Sequence, residues 1–103
     1  MTNIKNHLIE ETTNNISTKE REIQESDQEL AVLGAKLKVE NKTLGMQDLK
    51  EYLKEDFKYS AQALEGMVTQ EQQRNTELKK ELEMMKYRKA VLESQFSDND
   101  LER

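Results

Sequence analysis

The sequence predicts an all-α protein: an antiparallel helical hairpin with coiled-coil seams, a long second helix and an oligomeric assembly. Three observations carry this expectation. First, of 103 residues 36% are charged and 34% hydrophobic, with three Tyr, two Phe and no Trp, too little apolar and aromatic mass for an ordinary globular core of this length. Second, Ile9, Ile16, Ile23, Leu30, Leu37 and Leu44 recur at uninterrupted intervals of seven. Seven residues are nearly two helical turns, so these side chains form one stripe that a slight supercoil straightens. Third, two interleaved heptad sets follow in a new phase. Phe57, Leu64, Glu71, Leu78, Met85 and Leu92 alternate with Ala61, Val68, Asn75, Leu82, Lys89 and Phe96, and nine of the twelve are apolar. With no proline and three glycines, turn signals are too few for a many-stranded sheet.

Taken in order, residues 1–16 read as a weakly structured N-terminal segment or short helix. Ile4 and Leu8 are one turn apart, but Thr12 to Thr18 is rich in Thr, Asn and Ser, whose side chains compete for backbone hydrogen bonds. Ser17-Thr18-Lys19-Glu20 has capping-box spacing, and the first main helix is expected to start there. Its seam is half built. Four residues after the heptad positions stand Thr13, Glu20, Asp27, Gly34, Asn41 and Asp48, and the three-residue alternative supplies only Leu33. Hairpin packing is assigned to Ile23, Leu30, Leu33, Leu37 and Leu44. Apolar residues encircle the axis between Leu30 and Val39, which demands cover from two sides and leaves a strand over 30–39 as the competing assignment.

Asn41-Lys42-Thr43 is the expected turn, Asn closing the helix in the left-handed conformation and Thr43 capping the next. The hairpin domain then covers 17–96, with its second helix from 44 to 96. Residues 69–77 contain no apolar side chain, follow Gly66, and put Glu71 and Asn75 on the seam. Their Gln, Glu and Arg are good helix formers, which favours a continuous helix with a polar layer over a break. Residues 97–103 are expected to be a disordered tail.

The residues that catalysis needs are scarce. The sole histidine, His7, reads as solvated, and there is no His-Glu-x-x-His, no glycine-rich phosphate loop and no nucleophile elbow. Asp98-Asn99-Asp100 resembles the start of a calcium loop without its glycine or final glutamate. Zero cysteines exclude a disulfide framework or thiol nucleophile. No enzyme, cofactor, metal site or small-molecule substrate is therefore expected. The longest strictly apolar run is Leu30 to Leu33, too short for a membrane span, and Met1-Thr2-Asn3-Ile4-Lys5 lacks the apolar stretch of a signal peptide, so the expected location is cytoplasmic and no membrane contact is expected. Residues 74–89 are locally basic, with Arg74, Lys79, Lys80, Lys86, Arg88 and Lys89 around Tyr87. In a chain of net charge −5 they are scattered around the helix, and no nucleic-acid binding is expected.

The seams remain. At about 1.5 Å per residue a helix over 17–40 reaches roughly 36 Å and one over 44–96 roughly 80 Å, so the second would overhang the first. Phe57, Leu64, Val68, Asn75, Leu78, Leu82, Met85, Leu92 and Phe96 are accordingly assigned to an oligomer or partner interface, with Met84 and Met85 as a compliant patch. The expected function is that of a non-catalytic coiled-coil interaction protein, an assembly factor, adaptor or chaperone type. It self-associates as a homodimer or higher oligomer and binds protein partners. The alternative is a small regulator or inhibitor, of which phage-encoded inhibitors are one kind, that docks on a larger enzyme or complex.

Overall fold

The computed structural model describes residues 3–102. Two α-helices of 41 residues each, α1 (Ile4–Leu44) and α2 (Lys54–Ser94), are joined by a link holding a single 3-10 turn, Glu51–Leu53. No strand occurs among the described residues, and 30–39 is helical. The all-α hairpin is as the sequence predicts, but several boundaries are not.

α1 starts at Ile4 rather than Ser17, so the N-terminal segment is helix from its fourth residue; Met1 and Thr2 lie outside the described residues. Three contacts explain the early start. Asn3 Oδ1 accepts the Asn6 N–H at 3.0 Å, an N-cap that satisfies one of the unpaired donors of the first turn. Glu102 Oε1 accepts the Ile4 N–H at 2.7 Å, placing negative charge where the helix dipole favours it. Thr13 donates its hydroxyl to Ile9 O at 2.8 Å, so a residue that could compete with the helix bonds back onto it instead.

The turn also lies later than expected. α1 runs through Asn41-Lys42-Thr43 to Leu44 and closes by tightening: Gly45 N–H donates to Asn41 O and Lys42 O at 3.3 and 3.1 Å, and Met46 N–H to Thr43 O at 3.1 Å. No described residue has a positive φ, so left-handed closure at Asn41 is not used. Thr43 bonds Val39 O within α1 instead of capping α2. Lys50, in extended backbone, precedes the 3-10 turn, and Glu51, Glu55 and Asp56 place carboxylates near the start of α2. α2 is continuous through 69–77, as its helix formers favour, and ends at Ser94 rather than 96. Over 97–102 the expected disordered tail is instead a pair of turns: Ser97 N–H donates to Asp100 Oδ2 at 2.7 Å, Asp100 N–H to Ser97 O, and Glu102 N–H to Asn99 O; Arg103 lies outside the described residues.

The chain divides into two compact units. In one, residues up to 24 pair with those from 76 onward; Leu78 is buried there, and antiparallel alignment is fixed by Lys5 Nζ donating to Phe96 O and Lys19 Nζ to Glu81 Oε2, each at 2.7 Å. The other, Glu25–Asn75, contains the link and buries Leu33, Ala61, Ser26 and Asn75.

Candidate interaction surface

The two heptad sets define the inner face of α2 and, with Phe96, continue just beyond its end. All twelve positions are buried or half-buried, whereas most other α2 side chains are exposed. The nine residues assigned to an interface belong to this stripe: Asn75 and Leu78 are buried, and Phe57, Leu64, Val68, Leu82, Met85, Leu92 and Phe96 are half-buried. Of the hairpin-packing set, Leu33 is buried, and Ile23, Leu30, Leu37 and Leu44 are half-buried. α1 and α2 have equal residue counts, so the overhang expected of α2, and with it a bare stripe, does not occur. The second row of α1 is Lys5, Thr12, Lys19, Ser26, Leu33 and Glu40, every one buried or half-buried. A search for apolar side chains passes over this row because only Leu33 is apolar; long lysines can lay their stems along a seam and keep the charge at its edge.

Polar side chains meet polar partners along the seam. In the unit that contains the link, Asn75 Nδ2 donates to Ser26 Oγ at 3.1 Å and to Asp27 Oδ1 at 2.8 Å. Ser26 in turn donates to Glu71 Oε2 at 2.8 Å, and Arg74 Nη1 donates to the same oxygen at 3.0 Å. Such a relay is mutually strengthening when every member is satisfied, and no buried side-chain N or O among the described residues lacks a partner. The Ser26 hydroxyl, followed by Arg74, holds the Glu71 carboxyl below its ordinary range. In the other unit, the hydrogen bond to Glu81, with Glu22 3.7 Å away, raises Lys19 above the usual lysine value.

With the inner stripes paired, the flanks carry what is left to offer a partner. One hollow of about 470 Å³ is lined by Leu8, Thr12, Tyr87, Arg88, Val91 and Leu92. Its α2 side continues to Met84; Tyr87 is 71% exposed, Val91 45% and Met84 44%. In the unit that contains the link, a second hollow is lined by Lys36, Val39, Glu40, Ala63, Leu64 and Met67, among others. Met84 and Tyr87 stand out singly in the sequence, but their shared face does not; the spacing of 84, 87, 88 and 91 on one helix is the signal that marks it.

His7 is largely exposed, 3.6 Å from Glu11. No group of three or more His, Cys, Asp or Glu that could hold a metal occurs among the described residues, and none of the described helices is long and apolar enough to cross a membrane. Within the basic stretch Arg74 is paired with Glu71, whereas Arg88 makes no ion pair among the described residues. The chain matches no protein family, no curated protein and no solved structure at a significant level.

Proposed function

We propose that this protein is a non-catalytic helical interaction module that self-associates and binds other proteins, of the assembly-factor, adaptor or chaperone type. The observation that supports it is the division of labour on the helices. The heptad stripes hold α1 against α2, while large apolar side chains stand on the outer flanks: Val39, Met67, Met84, Tyr87 and Val91 are each more than two-fifths exposed. Met84, Tyr87 and Val91 share one face of α2, and neighbouring exposed apolar side chains mark contact surfaces more often than single ones do; methionine suits contacts that must adapt.

A second reading, a small regulator docking on a larger enzyme or complex, draws on Tyr52 and Tyr59, 74% and 76% exposed. Tyrosine is among the residue types that dominate binding energy at interfaces. Two measurements on the full chain test the proposal: sedimentation velocity over a range of concentrations, and affinity capture from the source cell with wild type beside a Tyr52→Ala/Tyr59→Ala variant. A concentration-dependent dimer supports self-association. Stoichiometric recovery of one enzyme, lost in the variant, supports the regulator. A chain that stays monomeric and recovers nothing in stoichiometric amount overturns both.

A further inference from the structure

We infer that the flank of the unit formed by residues up to 24 and from 76 onward is the self-association surface, and that its occupant is the same flank of a second copy. This rests on the reading of the protein as self-associating and goes further by naming the surface and its pairing. Met84, Tyr87, Arg88 and Val91 fall at the i, i+3, i+4, i+7 spacing of one helix face, and Ile4, Leu8 and Glu11 at i, i+4, i+7 on α1. Leu8, Tyr87, Arg88 and Val91 line a single hollow, with Ile4 and Met84 continuing the apolar area; all but Leu8 are exposed.

Charge selects the occupant. The antiparallel alignment set by Lys5 with Phe96 and Lys19 with Glu81 puts Glu11 and Arg88 within one turn of each other in level, Glu11 on the α1 side and Arg88 on the α2 side. A two-fold axis parallel to the helices of this unit exchanges the α1 side with the α2 side. It therefore brings Arg88 against the partner's Glu11, and Glu11 against the partner's Arg88, across a centre of Leu8, Met84, Tyr87 and Val91. An apolar centre with a charged rim is the usual anatomy of such a contact, and a two-fold contact must be complementary to itself. Arg88 makes no ion pair among the described residues, and Glu11 faces the exposed His7 3.6 Å away, so the contact displaces one exposed pair.

The test is sedimentation equilibrium on the full chain, with circular dichroism confirming that each variant remains helical. Arg88→Glu and Glu11→Arg each place like charges together twice per dimer and are expected to weaken association by roughly tenfold or more. The double variant restores opposite charges and is expected to recover most of that loss. Val91→Glu buries a carboxylate at the centre and is expected to leave a helical monomer. A wild-type chain that is monomeric at high micromolar concentration overturns self-association and this surface together. A wild-type dimer that all these variants leave unchanged, or single reversals that weaken it without rescue by the double variant, overturns the surface alone.

Discussion

Asn75 donates both of its amide hydrogens to the other helix, one to Ser26 and one to Asp27, and no aliphatic side chain could replace that arrangement. Asn75→Ala loses two hydrogen bonds and leaves the buried Ser26 oxygen short of a donor, and is expected to cost about 1–3 kcal/mol, read by urea unfolding. Asn75→Leu fills the same space with apolar atoms. It leaves the same Ser26 oxygen short of a donor and is expected to cost less than Asn75→Ala while loosening the register, because a polar seam residue with fixed partners chooses alignment. Heterogeneous amide peaks in a well-folded Asn75→Leu sample would bear this out, whereas a single sharp spectrum with unchanged pairing would count against a register role. Gly66 is the opposite case. It sits inside α2, and a methyl group there would meet nothing within 4 Å, so Gly66→Ala is expected to stabilise the chain by about 0.5–1 kcal/mol. A lower thermal midpoint in that variant would contradict the open space around it. Glu71 and Asn75 are legible in the sequence as polar intruders on a strong heptad. Their partner Ser26 is not, since a lone serine on a charged helix carries no periodic signal.

At the scale of the helix, the ends rather than the stripes escape the sequence. The α2 heptads can be read directly because leucine and phenylalanine at sustained seven-residue spacing rarely arise except along the face of a packed helix. The start of α1 cannot, because its cap is one asparagine and its further support, Glu102, comes from 98 residues along the chain. Local propensity in Thr12 to Thr18 favours a break, yet tertiary contact overrides it: Lys5 reaches Phe96 O at 2.7 Å and Asp98 at 3.9 Å, and Ile9 and Ile16 are half-buried. Asn3→Ala is expected to cost about 1 kcal/mol and to speed amide exchange at Asn6 and His7 more than elsewhere in α1. Equal exchange at these positions in the two proteins would mean that the cap contributes nothing. Removing residues 97–103 takes away the Glu102 contact as well, and the same amides are expected to exchange faster still.

Seam and tail groups, with Glu51 of the link beside Lys54, are expected to contribute to the pH response of the whole molecule. Glu71 and Asp100 are both held below their ordinary values, the first chiefly by the Ser26 hydroxyl and the second by the Ser97 N–H. Their contributions are complete above the unfolded carboxyl values of 4.5 and 3.8 and disappear as pH falls through the lower folded values. Lys19 is raised by Glu81, so its contribution is complete below the unfolded value of 10.5 and disappears as pH rises through the higher folded value. Thermal midpoints are therefore expected to change little between these limits on account of these groups, and to fall beyond either one. A Glu71→Gln variant should show a shallower acid limb, and an acid limb identical to wild type would mean that Glu71 contributes nothing to it. The polar second row of α1 also bears on the order in which the chain is made. Lys5, Thr12 and Lys19 leave the ribosome long before residues 81–98, which they will meet. Throughout that interval the unpaired segment offers water ammonium and hydroxyl groups among its Ile and Leu side chains. A half seam that looks deficient in the finished fold thus keeps an unfinished chain from presenting a full apolar face while it waits for its other half.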